Sequence, residues 1–166
     1  MKTLFLDIDG VIALGWNKAK DTKWGKIYKF DEKAVKVLNE VLLNTGAEIV
    51  LSSDWKKSYS LQEIREIFEW NGVIKGPISY TINSNYYEEA NTLEWMAGAR
   101  AFEIMDYVKR HRLNDWAAID DLPILDSGHS DFFINNFIHC KRSYEGIKQS
   151  GLKDKLIKVL NKHDKG

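Results

Sequence analysis

Apolar residues along the chain fall into two kinds of segment that alternate. Short unbroken runs at Thr3 to Leu6, Ala47 to Leu51, Trp116 to Ile119 and Phe137 to His139 read as strands buried on both faces, as parallel strands are. Between them apolar positions recur at helical spacing. Asp31 caps one helix, Ala34, Val35, Leu38, Val41 and Leu42 form its stripe, and Asn44-Thr45-Gly46 ends it. A second helix, from about Ser60 to Trp70, carries Leu61, Ile64, Ile67 and Phe68 and closes at Asn71-Gly72. A long third, from about Asn91 to Arg110, is marked by Leu93, Met96, Phe102, Ile104, Met105 and Val108. Leu152, Leu156, Ile157 and Leu160 stripe a last one. Residues 11 to 30 hold Gly15, Gly25 and two tryptophans and read as a flap or long loop. Residues 72 to 88 are weakly patterned, with Val73-Ile74 as the candidate for a further strand ahead of a polar loop.

Strand and helix in alternation predict an α/β fold. The expected form is a Rossmann-like three-layer sandwich: a mostly parallel five-stranded sheet, helices on both faces, one domain over residues 1–166. Ligands of such sheets bind at the carboxyl ends of the strands. Asp7 and Asp9 follow the first strand, Ser52 and Ser53 the second, and Asp120 and Asp121 the strand at 116 to 119. The topology therefore predicts that residues far apart in sequence meet at one edge.

A lone carboxylate at a strand end commonly just caps a turn. Acids gathered at several strand ends are rarer, because like charges repel and bury badly. Three acids and a hydroxyl suit a hard cation such as magnesium, which takes oxygen ligands. Zinc would want His or Cys, and His111, His129, His139 and His163 show no ligand spacing. With 24 Lys plus Arg against 24 Asp plus Glu, a broadly basic nucleic-acid surface is excluded, although a local basic groove is not. Cys140 is the single cysteine, so no internal disulfide forms; it reads as a small apolar filler in a reduced, cytoplasmic setting. The first residues do not pattern as a signal peptide, and no apolar run approaches a membrane span, so no membrane partner is expected. No Gly-x-x-x-x-Gly-Lys-Ser/Thr loop occurs.

The chain resembles the haloacid dehalogenase-like (HAD) superfamily of phosphotransferases, in particular its small capless members of the nucleic-acid repair and nucleotidase type. Leu4-Phe5-Leu6-Asp7-Ile8-Asp9-Gly10-Val11 matches the first motif, an apolar strand running into Asp-x-Asp-Gly. Ile49-Val50-Leu51-Ser52 fits the second, Arg100 the basic third, and Ala118-Ile119-Asp120-Asp121 the fourth. The resemblance implies a phosphomonoester hydrolase that works through an aspartyl-phosphate. Asp7 would attack phosphorus, and Asp9 would protonate the leaving oxygen and then activate water. Ser52 would hydrogen-bond a phosphoryl oxygen, and Arg100 would neutralise its charge. Magnesium would be held by Asp7, Asp9 through its backbone carbonyl, and Asp121, with Asp120 supporting or sharing that work. Asp126 sits where some members place a further acid. Ser53 competes with Ser52, and Lys56 or Lys109 with Arg100, which could instead lie on a solvated helix face.

The intervals from Asp9 to Ser52 and from Ser52 to Arg100 are too short for a full cap domain. An open site admits a phosphorylated small molecule, a nucleic-acid phosphate end or a phosphoprotein. Trp16, Trp24, Tyr28, Trp55 and Tyr59 could stack on a base. Lys18, Lys20, Lys23, Lys26 and Lys29 could meet a backbone or simply keep a loop soluble. The rival reading is a catalytically inactive HAD-like domain that binds a phosphorylated partner. Oligomeric state is left open by the sequence.

Overall fold

The computed structural model describes residues 1–15, 18–84 and 92–164. In chain order come β1 (Thr3–Leu6), β2 (Ala19–Thr22), β3 (Gly25–Tyr28), α1 (Glu32–Thr45), β4 (Glu48–Leu51) and α2 (Leu61–Trp70). Then follow β5 (Ser79–Tyr80), α3 (Leu93–His111), β6 (Trp116–Asp120), the short α4 (Ser130–Phe133), β7 (Phe137–His139) and α5 (Leu152–Leu160). The main sheet has five strands in the order β5-β4-β1-β6-β7, and every pairing in it is parallel.

The pleat sorts side chains into two cores. Leu4, Leu6, Ile49, Leu51, Ala117 and Ile119 face one side and are covered by α1, α2 and α5, through residues such as Leu38, Ile64, Phe68 and Leu156. Phe5, Val50, Trp116 and Ala118 face the other and are covered by α3 through Ala97, Ala101, Ile104 and Tyr107. Phe5 and Trp116 meet edge to face at 5.8 Å inside this second core. The three-layer sandwich is thus the one expected, with no folded cap domain among the described residues.

Helix ends follow the local chemistry. Asp31 caps α1 by accepting from the Ala34 N–H at 2.9 Å, and Gly46 ends it in the left-handed region at φ 67°. Ser60 and Glu63 form a reciprocal capping box on α2.

Two expectations need correction. The further strand expected after the second helix is β5, at Ser79–Tyr80, and Val73-Ile74 forms none. The Val73 N–H is already given to Phe68 O and that of Ile74 to Asn39 Oδ1, so this stretch has no donors left for the sheet. Residues 11 to 30 are not wholly irregular, since β2 and β3 pair as an antiparallel hairpin. Of its strand residues only Ile27 is buried, so no apolar pattern marked it. Trp16 lies outside the described residues.

Leu38 is fully buried and Leu43, on the same helix, is 73% exposed. Leu38→Ala should cost about 2–5 kcal/mol in urea unfolding. Leu43→Ala should stay within about 0.5 kcal/mol of the parent.

Candidate active site

Strand register builds the site. β1 and β6 align Phe5 with Ala118 and Leu6 with Ile119, which sets Asp7 beside Asp120 one step on. β1 and β4 align Leu6 with Leu51, and the Ser52 N–H then donates to Leu6 O at 2.9 Å. Asp7, Ser52 and Asp120 therefore form a row across three neighbouring strands. Each continues the pleat of a residue facing α3: Phe5, Val50 and Ala118.

From that side α3 delivers Arg100. Its Nη1 donates to Ser52 O at 2.9 Å and to Asp120 Oδ2, and lies 3.5 Å from Asp7 Oδ1. Asp121, half-buried, closes the group: Asp7, Asp120 and Asp121 each offer a carboxylate oxygen within 4.8 Å of the others. Asp120 is held further by the Leu122 N–H, which donates to its Oδ1 at 3.0 Å. Gly10, at φ 77°, lets the turn after β1 pass against Asp121: a Cβ there would sit 2.2 Å from Asp121 Oδ2. The Ser52 hydroxyl is buried and finds no hydrogen-bond partner among the described residues.

Electrostatics record the crowding. Burial, and after it the charge of Asp120, raises the Asp7 carboxyl well above its ordinary value, while Arg100 pulls the other way. Burial and Asp120 likewise push Asp121 up to about 6. Burial opposes the charge on Arg100, but Asp120 and Asp7 outweigh it and drive its pKa upward. Burial, followed by the charge of Asp120, pushes the Cys140 thiol up; the residue is a fully buried core filler.

The donor set fits a divalent cation. It is all oxygen, and three carboxylates, once ionised, would leave two negative charges uncompensated against one guanidinium. The cluster can coordinate a divalent metal ion.

The remaining candidates fall elsewhere. Asp9 is exposed, and its carboxylate stands outside the three-acid cluster. The chain leaves the strand at Leu6 and turns tightly, with Ile8 O accepting from the N–H groups of Val11, Ile12 and Ala13. That turn splays Asp9 away from Asp7, and Trp55 Nε1 donates to its Oδ2 at 3.0 Å. Ser53 is buried and caps the 3-10 turn Asp54–Lys57 through its side chain. Asp126 is exposed in the 3-10 turn Ile124–Asp126. Lys109 lies over the Phe132 ring.

Lys56 does something the sequence did not announce. Its side chain is fully buried, and its ammonium donates to Glu103 Oε2 at 2.7 Å and Thr81 Oγ1 at 2.9 Å. Glu103 also accepts from the N–H and hydroxyl of Ser84 at 3.0 and 2.9 Å. Burial lowers the Lys56 pKa against the pull of Glu103. Glu103 lies one helical turn after Arg100 on the same face of α3, so this pair ties the arginine's helix to the Ser52 loop and to the segment after β5. A Glu at helical spacing from an Arg was the only sequence signal, and it is indistinguishable from a solvated helix face.

A parallel sheet with buried aspartates at the carboxyl ends of its strands defines an HAD-superfamily domain whose aspartate cluster is intact, a construction that supports phosphatase activity. The chain belongs to the family described as the HAD domain in Swiss Army Knife RNA repair proteins, whose model matches residues 3–151. No curated protein and no solved structure gives a significant match to the chain.

Lys56→Ala would strand the Glu103 charge in the interior and should cost about 3–5 kcal/mol, whereas Lys56→Met with Glu103→Leu should recover most of that loss. Urea unfolding of the single and double variants measures it.

A carboxyl raised in the folded state stabilises at low pH and loses that contribution as pH climbs through its folded value. For Asp121 the loss begins above its ordinary 3.8 and runs through about 6. In chelator, the thermal midpoint should therefore fall from pH 5 to pH 7.5 by on the order of a few °C. Millimolar magnesium or the variant Asp121→Asn should each reduce that fall, as calorimetry at both pH values would read.

Proposed function

We propose that the chain is a magnesium-dependent phosphomonoester hydrolase that proceeds through an aspartyl-phosphate on Asp7. The observation that carries this reading is the row of Asp7, Ser52 and Asp120 with Arg100 beneath it and Asp121 beside it. The Asp7 carboxylate attacks phosphorus, and the bond to the leaving oxygen breaks as that oxygen takes a proton from Asp9. Asp9, now ionised, accepts a proton from water as the water oxygen attacks phosphorus, and the bond from Asp7 to phosphorus breaks. Arg100, already charged beside Asp7, offsets the negative charge of the phosphoryl oxygens. Ser52, whose hydroxyl lacks a partner among the described residues, gains one in a phosphoryl oxygen. Asp7 and Asp121 would hold a magnesium ion, with the Asp9 backbone carbonyl as a further oxygen and Asp120 shared with Arg100. Magnesium bound there would offset the mutual repulsion of substrate and carboxylates.

For the substrate we favour a nucleotide or a nucleic-acid phosphate end. The family description points to RNA repair, and no folded cap hides the acids among the described residues. Exposed Tyr28 and half-buried Tyr59 offer ring faces to a base, and Lys18, Lys20 and Lys26 are exposed on or beside the hairpin. Trp24 serves the fold instead: it packs on Trp70, and its Nε1 donates to Glu66. A single domain working in the cytoplasm agrees with the one buried cysteine and with the lack, among the described residues, of a helix able to cross a membrane.

Magnesium-dependent phosphate release should be found on a panel of mononucleotides, 3′-phosphorylated oligonucleotides and small phosphomonoesters. Asp7→Asn should lower it by about 10³-fold or more. Metal binding without turnover on any member of the panel would overturn the enzyme in favour of an inactive domain that binds a phosphorylated partner.

A further inference from the structure

Resting on the phosphatase reading above, we propose that Trp55 is a positioning residue: its indole fixes which oxygen of Asp9 carries the proton given to the leaving group. Asp9 needs such a partner. It sits exposed on a tight turn, away from the buried cluster that fixes Asp7. A carboxylate in that position would otherwise rotate freely, and a proton donor out of line with the leaving oxygen contributes little.

Trp55 is itself held on several sides. Its N–H is capped by Ser53 Oγ at 3.3 Å, and its carbonyl accepts from the Ser58 and Tyr59 N–H groups at 3.1 and 3.0 Å. Its ring lies 5.8 Å from Phe30, edge-on, and 5.6 Å from Tyr59. The next residue, Lys56, is locked in the buried pair with Glu103. The indole N–H is therefore presented to Asp9 Oδ2, at 3.0 Å, from a fixed direction.

An indole N–H can only donate. A bare carboxyl oxygen is a better acceptor than one that carries a proton, so this bond favours an unprotonated Oδ2 and directs the proton of the acid form to Oδ1. In the first half-reaction Oδ1 gives that proton to the leaving oxygen as its bond to phosphorus breaks and the Asp7 bond to phosphorus forms. In the second, Oδ1 takes a proton from the attacking water as the Asp7 bond to phosphorus breaks. One hydrogen bond thus serves both directions of transfer, because Oδ2 stays the acceptor and Oδ1 the oxygen that exchanges the proton.

The consequence is selective. An alkoxide leaving group needs the proton, whereas a nitrophenolate departs without it. Trp55→Phe keeps an aromatic ring against Phe30 and Tyr59 but deletes the donor. We expect kcat/KM on a nucleoside 3′-phosphate to fall by about 10- to 100-fold, part of the usual worth of a general acid. On p-nitrophenyl phosphate kcat/KM, which reports only the steps up to cleavage of the ester bond, should fall by no more than about threefold, while kcat falls for either ester where breakdown of the aspartyl-phosphate is the slow step. Equal losses of kcat/KM on both esters, or none on either, would overturn the proposal and leave the phosphatase reading standing. Wild-type protein that hydrolyses neither ester would overturn both. A measurement on the bond itself separates these cases. The Trp55 indole N–H resonance, assigned by its disappearance in Trp55→Phe, should shift upfield in Asp9→Ala; an unmoved signal overturns the proposal whatever the kinetics.

Discussion

Everything at the carboxyl edge depends on how one guanidinium is shared among buried acids. Asp7 and Asp120 are both almost wholly buried, a location that penalises their charged forms severely. Arg100 touches both and also ties down the Ser52 carbonyl, so it sets the spacing of three strand ends at once. It does not balance the account, since Asp121 adds a third carboxylate within reach of the other two. Burial, and after it the charge of Asp120, raises Asp7 and Asp121 above their ordinary values, and the surplus negative charge is also what gives the cluster its capacity for a divalent ion. A fold optimised for stability alone would place apolar groups there. Strained electrostatics at a strand edge, against two well-packed cores, is the sign of a site under functional demand.

Much of this was legible in the order of residues because parallel sheets translate sequence into position. β1, β4 and β6 are buried on both faces, so each announces itself as an unbroken apolar run, and the polar residues that end the runs must then lie at one edge. Helix boundaries were readable where chemistry is local, as at Asp31 and Gly46. The illegible parts are those whose determinants lie elsewhere in the chain. β5 is two residues long and recruited to the sheet by β4, through the Ile78 and Thr81 N–H groups donating to Ile49 O and Leu51 O. The β2–β3 hairpin buries Ile27 alone among its strand residues. The Lys56–Glu103 and Trp55–Asp9 contacts link residues 47 and 46 positions apart, and neither has a periodicity to betray it.

That buried pair explains how a long helix can be held accurately with little apolar surface at its start. The first turn of α3 is exposed at Leu93, Trp95 and Met96, and its packed face begins at Ala97. Arg100 and Glu103 are the next two polar groups on that face, and both end in charge-assisted bonds to the loop that follows β4 or to the strand ends around it. An ion pair without access to water has few alternative geometries. It contributes little net stability compared with apolar residues of similar shape, but it specifies one docking angle for α3 and so one location for the guanidinium.

Asp7 and Asp9 are two residues apart in one short motif, yet the chain gives them opposite environments. The first is buried among like charges beside an arginine; the second is exposed and accepts from an indole N–H. A nucleophile benefits from the first arrangement, because stripping away water and fixing the oxygens by neighbouring groups leaves little to rearrange when it meets phosphorus. A residue that must give up a proton and take one back within a single turnover benefits from the second, because contact with water lets it exchange protons freely. The tight turn at Ile8 separates the two environments within one residue of chain. Without that turn, strand geometry would send both side chains to the same face, and two carboxylates of the same character would compete for one role.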